Sequence, residues 1–332
     1  MHWKCQKVKR ISRKQVILMP DFNSSHASLL QKYIAHKQNL GYKFNYTCTF
    51  LQFDRLLCDY NYLHIELSSD ICRIWEERRP NEAESSRYFR IGLIHNYALY
   101  LTKLGYKTHL PERHFKYKTT FIPYIFSRQE IKDFFYHCDQ LTGKESPAYP
   151  TVFRLLYGCG LRKHEALDLK VNDVDFKSNI VIVRESKNNS ERMIPMSSSV
   201  ADAMSKYLLS RNKNKEPENY FFQARHGGRI SNNSLYHQFR LVLEKAKISH
   251  KGRGFGPRIH DFRHTFSVYT LSNMASQGID LYCALPILSK YLGHKSISAT
   301  ESYVRITTEL FPEIMGDVNR TCSFVFPEVS DI

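Results

Sequence analysis

The stretch GPRIHDFRHTFSV, Gly256 to Val268, sets two histidines and two arginines around the opening of a helical pattern. His260 and Arg263 stand three residues apart, so on a helix they share one face. Gly256 and Pro257 come just before, which leaves His260 near the first turn. Free N–H groups and the helix dipole favour anions at such an end, so a histidine and an arginine projecting there suit a phosphate. Arg258 and His264 flank the pair and add charge. Taken alone, a capping histidine beside a surface arginine describes the stretch equally well.

Three other stretches raise the same question. In LSKYLGHKSISATESYVRI, Leu288 to Ile306, Gly293 and His294 interrupt an apolar helical pattern, and Tyr303 follows nine residues after His294. In GLRKHEAL, Gly160 to Leu167, a glycine pair (Gly158 and Gly160) ends one helix and Arg162 heads the next turn in apolar surroundings. A guanidinium placed there either pairs internally, with Glu165 one turn on, or receives an anion. The residues alone leave both readings open. Lys187 lies in RESKNNSER, Arg184 to Arg192, on the tip side of a β-turn, where most lysines are simply solvated.

In this order and local spacing the set resembles the tyrosine recombinases, the phage-integrase family: GLRKHEAL, a hairpin lysine, HDFRHTF, LGHKS and a tyrosine nine residues on. The resemblance covers about Pro123 to Pro312. It implies a mostly α protein with a small antiparallel β-sheet, made of an N-terminal helical (SAM-like) core-binding domain and an α+β catalytic domain. It also implies that Arg162, Lys187, His260, Arg263, His294 and Tyr303 are catalytic. The activity implied is site-specific DNA recombination or integration through a 3′-phosphotyrosine, serving integration, excision or transposition of a mobile element. The partners implied are double-stranded DNA carrying recombination sites, a tetramer of this chain on two such sites, and DNA-bending accessory proteins. Two departures stand out. The segment from Arg263 to His294 is longer than in compact members, and Ala299 stands where many have threonine. Lys170 and Lys177 are the other lysines near the hairpin.

Such a set fits phosphoryl transfer. A five-coordinate phosphorus gathers charge on its equatorial oxygens, and two guanidinium forks bind that charge more strongly in the transition state than in the ground state. The phenol of a tyrosine ionises near pH 10, about three units above neutrality, so Tyr303 needs a base or a cationic setting. His260 is the expected base, with His294 holding a phosphate oxygen or moving a proton. Lys187 is expected to protonate the departing 5′ oxygen. A type IB topoisomerase-like enzyme shares this chemistry and is the alternative. The short chain and small helical domain favour recombination. A DNA-binding scaffold that lost cleavage is disfavoured, because all six chemical positions are filled.

Composition points the same way. The formal net charge of +16 indicates a polyanionic partner, usually nucleic acid. The eight cysteines are scattered, with no CxxC pair and no metal-ligand spacing, which predicts neither metal nor cofactor and a reducing compartment. With no apolar run of membrane length, the expected location is the prokaryotic cytoplasm, at the nucleoid. MHWKCQKVKRISRK carries six basic residues and no acid, which reads as an arm lying along phosphates. SHKGRGFGPR, Ser249 to Arg258, offers Lys251, Arg253 and Arg258 as DNA contacts.

The expected organisation is a basic arm over 1–20, a helical core-binding domain over 21–110, a linker over 111–124 and a catalytic domain with a C-terminal tail over 125–332. Apolar spacing predicts four helices in the first domain: one from a serine cap near Ser25 to Gly41, one in TCTFLQFDRLLCDY, one from Ser69, and one running to Gly105. SRQE, Ser127 to Glu130, is a capping box. DVDFKSNIVIVRESKNNSERMIPM predicts two or three short strands with a turn at KNNS. Helices are expected at Ser198–Arg211, Asn232–Lys247, Ile259–Ala275 and Leu285–Leu292.

Overall fold

A computed structural model describes residues 21–42, 46–112, 122–143, 147–184, 191–211, 216–250, 252, 256–294, 296 and 298–311. The chain divides into two compact units, Met1–Thr120 and Phe121–Ile332. The expected basic arm, the turn at KNNS and most of the expected linker lie outside the described residues.

The first unit holds α1 (Ala27–Asn39), α2 (Thr47–Asp59), α3 (Ser69–Glu76) and α4 (Glu84–Lys103). Their apolar faces close on Phe50, Phe53, Trp75, Ile94 and Tyr97, with Trp75 edge-on to Phe53 at 5.1 Å. The serine cap expected for α1 is not there. His26 is the N-cap and makes no side-chain cap bond. The serines are used elsewhere: Ser24 donates to Asp54 of α2, and Ser25 to the Tyr62 carbonyl. Asp54 also accepts the backbone N–H groups of Asn23 and Ser24, so a tertiary contact ties down the entry to α1.

The second unit begins with α5 (Arg128–Asp139), opened by the Ser127–Glu130 capping box. Next come α6 (Ala148–Cys159) and α7 (Lys163–Asp168). Three strands follow, β1 (Val174–Asp175), β2 (Ile180–Val183) and β3 (Arg192–Pro195), antiparallel in the order β1-β2-β3. Val181 pairs with Ile194 and Val183 with Arg192, so the buried faces of Val181, Val183 and Ile194 point to the core while Met193 is 70% exposed. The remaining helices are α8 (Ser198–Ser210), α9 (Asn232–Lys245), α10 (Asp261–Ser276), α11 (Leu281–Leu292) and α12 (Ser298–Leu310).

The main core of this unit is aromatic. Phe262 of α10 lies 5.0 Å from Phe126, 5.1 Å from Phe134 and 5.7 Å from Phe239, ring centre to ring centre. A smaller cluster joins Val268 and Leu271 to Leu281, Leu288, Leu292, Tyr303 and Ile306. It holds α10, α11 and α12 together.

A helix boundary here differs from expectation. α11 starts four residues earlier than Leu285, because Asp280 caps it by accepting from the N–H groups of Tyr282 and Cys283. Pro286 lies inside this helix. Helix α12 begins at Ser298, five residues after Gly293, and carries Tyr303 on its second turn.

Phe262→Ala should lower unfolding free energy by about 3–5 kcal/mol, the usual cost of emptying an aromatic core position. Tyr282→Ala, at a site 74% exposed, should change it by no more than about 0.5 kcal/mol. Urea unfolding followed by circular dichroism measures both.

Candidate active site

Three backbone features shape the site. α6 ends at Gly160, whose φ of +58° turns its carbonyl toward α10; a Cβ there would lie 2.5 Å from the Phe266 ring. α11 ends at Gly293, with φ of +68°, and a Cβ there would meet the Arg192 guanidinium at 3.1 Å. α10 presents Asp261, Arg263 and His264 in its first turn, with His260 as N-cap.

Arg263 is 1% exposed. It donates to the carbonyls of Gly160 (2.8 Å) and Leu292 (2.7 Å), and one of its N–H groups faces His294 Nε2 at 2.9 Å. Burial, and then Arg162, pull its pKa down to about 10, so it stays charged at neutral pH. Arg162 donates to Glu165 at 2.8 Å and to the Gly293 carbonyl at 3.3 Å. The two guanidiniums that sequence separates by a hundred residues therefore grip adjacent carbonyls at one helix end, where the dipole is negative.

Arg162 does have the internal partner that its spacing suggested, Glu165, and the cluster has a third member that the sequence reading missed. Arg192 of β3 binds both oxygens of Glu165, at 3.1 and 2.8 Å, and donates to the Tyr291 carbonyl at 3.0 Å. The Glu165 side chain is 1% exposed. Burial alone would raise its pKa, but Arg192 and Arg162 hold it down to about 2. A buried carboxylate thus locks strand, helix and helix end together, and the surrounding guanidiniums outnumber it. The bare Arg–x–x–Glu spacing gave half of this; Arg192 lay hidden in what read as an ordinary strand.

His294 accepts from Arg263 through Nε2, so its proton sits on Nδ1 and is donated to Thr300 Oγ1 at 2.7 Å. Burial, then Arg263 and Arg162, push its pKa down to about 4, which keeps the ring neutral. Thr300 is fully buried and was not singled out beforehand. It directly follows Ala299 in the sequence.

Tyr303 is 4% exposed, and its ring lies nearly parallel to that of His294. Burial raises its pKa while Arg263 and Arg162 draw it back. Its hydroxyl is 2.8 Å from His264 Nδ1. Its hydrogen-bond partner here is thus His264, while His260, expected as the base, makes no hydrogen bond to it. The His260 ring meets His264 edge-on at 4.8 Å, and desolvation followed by Arg263 and Arg258 keeps it neutral. Tyr291 packs, stacked on Phe266 at 5.5 Å.

Of the cations expected to touch DNA, Arg258 is described. It pairs with buried Asp261, donating to it from its backbone N–H at 2.7 Å and its guanidinium at 2.9 Å, with the side chain 45% exposed. Lys187, Lys251 and Arg253 lie outside the described residues. Among the described residues no group of three or more His, Cys, Asp or Glu is placed to hold a metal, and no helix is long and apolar enough to cross a membrane.

With this geometry in hand, comparison with known proteins is informative. Residues 125–309 match the sequence model described as the phage integrase family. An integrase/recombinase of Sinorhizobium fredii, y4rB, is 28% identical over 311 residues, covering 90% of this chain and 98% of the relative. The tyrosine recombinase XerA of Pyrococcus horikoshii is 30% identical over 188 residues, 57% of this chain and 59% of its own length. Among solved structures, the XerH site-specific recombinase bound to a palindromic difH substrate superposes with a TM-score of 0.62 at 16% identity, covering 90% of this chain and 84% of that one. The Tn1549 transposon integrase in complex with a circular intermediate DNA gives 0.62 at 19% identity, covering 84% and 94%. These likenesses establish the mostly helical fold with its small antiparallel sheet.

The clamp on Glu165 predicts a pH dependence. The folded pKa lies below the unfolded value of about 4.3, so the stabilisation is full above about pH 5 and is lost as pH falls toward 2. Glu165→Gln should cost about 3–5 kcal/mol at pH 7, by leaving buried guanidiniums without their carboxylate. It should also flatten the stability profile between pH 5 and 2, as urea titrations across that range would show.

Proposed function

The chain belongs to the phage integrase family of tyrosine recombinases, and from that premise we propose that it is a site-specific DNA recombinase that breaks and rejoins strands through a 3′-phosphotyrosine link. The observation that carries the reading is the convergence of Arg162, Arg263, His294 and Tyr303 at the carboxyl end of α11. Arg162 and Arg263 would each offer N–H groups to one non-bridging oxygen of the scissile phosphate, where charge builds in the transition state. His294, aligned by Thr300, and His260 would border the same oxygens. Tyr303 would attack phosphorus, and Lys187 would protonate the 5′ oxygen as the P–O bond breaks. The phosphotyrosine ester conserves the bond energy, so a second 5′-hydroxyl can reverse the step on another strand without ATP.

The partner proposed is double-stranded DNA with defined recombination sites, held by the first unit and the catalytic unit. The charge of +16 and the basic residues Lys251, Arg253 and Arg258, close together in the sequence, support it. So do relatives whose structures contain a difH substrate or a circular transposon intermediate. A tetramer on two sites, DNA-bending accessory proteins, action at the nucleoid and service to a mobile element complete the proposal.

Sequencing the DNA covalently trapped on the purified protein would give the site, and a nicked duplex of that sequence then tests the chemistry. Tyr303→Phe should bind this duplex and form no covalent adduct. An adduct from that variant would contradict the assignment. Arg162→Ala and Arg263→Ala should each slow adduct formation by about 10²–10³-fold. Lys187→Ala should recover on a 5′-phosphorothiolate substrate, whose leaving group needs no proton.

A further inference from the structure

Resting on the reading of Tyr303 as nucleophile, we infer that His264, rather than His260, is the general base that takes the phenol proton, with Asp261 as its positioning residue. Geometry carries this. The Tyr303 hydroxyl lies 2.8 Å from His264 Nδ1, within the reach a proton acceptor requires. The other ring nitrogen, Nε2, lies 4.0 Å from Asp261 Oδ1, one helical turn away on α10. A carboxylate on that side favours the tautomer with its proton on Nε2, which leaves the Nδ1 lone pair facing the phenol. Nucleophile, base and orienting carboxylate thus stand in line, the arrangement that activates hydroxyl nucleophiles elsewhere.

The surroundings fit this role. Asp261 is fully buried and the His264 side chain is 16% exposed. Desolvation, then His260, Arg258 and Arg263, depress the His264 pKa to about 3, so the ring is neutral at pH 7 and its basicity has to come from the substrate's charge. An incoming phosphate brings negative charge to this set of cations, offsets part of their repulsion and makes His264 more basic as substrate binds. His260 has no comparable contact with the phenol: among the described residues its ring makes no hydrogen bond and meets only the edge of His264.

The step balances as follows. The Tyr303 oxygen forms a bond to phosphorus as its proton passes to His264 Nδ1. The P–O5′ bond breaks, and the 5′ oxygen takes a proton from the general acid, Lys187 in the function proposed above. The imidazolium formed on His264 faces the Asp261 carboxylate. In religation each transfer runs backwards.

The test varies the acidity of the nucleophile. Residue 303 is supplied either as tyrosine or as 3,5-difluorotyrosine, a near-isosteric and more acidic phenol that depends less on a base. Adduct formation is followed in a single turnover on the nicked duplex recovered above. His264→Asn keeps a polar atom near the Nδ1 position and removes the basicity. It should slow adduct formation by about 10²–10⁴-fold with tyrosine, and by at least ten-fold less with difluorotyrosine. Asp261→Asn should show a smaller loss with the same dependence on phenol acidity, which a purely structural defect would not show. His260→Asn should lose the same factor with either phenol. An equal loss for His264→Asn with both phenols, an unimpaired His264→Asn, or selective rescue of His260→Asn would overturn the inference. If His264→Asn fails to bind the duplex, His264→Gln decides by the same comparison. A wild-type protein that traps no DNA would count against the proposed function itself, a separate result.

Discussion

Everything at the site hangs from the carboxyl end of α11, where the carbonyls of Leu292 and Gly293 each hold one guanidinium. Arginines repel one another and resist burial, so two of them sit together only where acceptors compensate them. Carbonyls at the negative end of a helix and the Glu165 carboxylate supply that compensation. Glu165 in turn is held by Arg192, which reaches across from β3, so the sheet becomes part of the cationic wall. The arrangement neutralises the guanidiniums only in part, and net positive charge is left at this helix end.

The same three helices that shape this wall also store the tyrosine. Tyr303 belongs to the apolar cluster joining α10, α11 and α12, so its position depends on packing as well as on hydrogen bonds. Its hydroxyl meets polar groups of α10, His264 at 2.8 Å and Ser267. Stability and chemistry are therefore coupled on α10: Phe262 faces the aromatic core while Asp261, Arg263 and His264, its immediate neighbours, face the site.

Much of this was legible in the sequence because function had left residues in costly places. Arginine after a glycine stop, histidine at a helix end and tyrosine just beyond a second glycine are each hard to explain by packing alone. Helix positions followed from apolar spacing, and the capping box at Ser127 marked a boundary correctly. What stayed hidden depends on long-range contact. Arg192 alternates like any strand residue, and Thr300 looks like a small helix-opening residue. That His264, and not His260, meets the Tyr303 hydroxyl could only be seen once α12 had been placed against α10. Asp280 and Asp54, which fix where α11 and α1 begin, act through local and tertiary geometry that periodicity does not encode.

The most direct measurement is a structure of the protein with orthovanadate and a duplex broken at the recombination site, because vanadate takes up the five-coordinate geometry that the site is proposed to bind. The account expects equatorial vanadate oxygens within hydrogen-bond distance of both Arg162 and Arg263, and the Tyr303 oxygen at an apical position. Vanadate bound away from α11, or an Arg162 and Arg263 that still contact only protein groups, would contradict it.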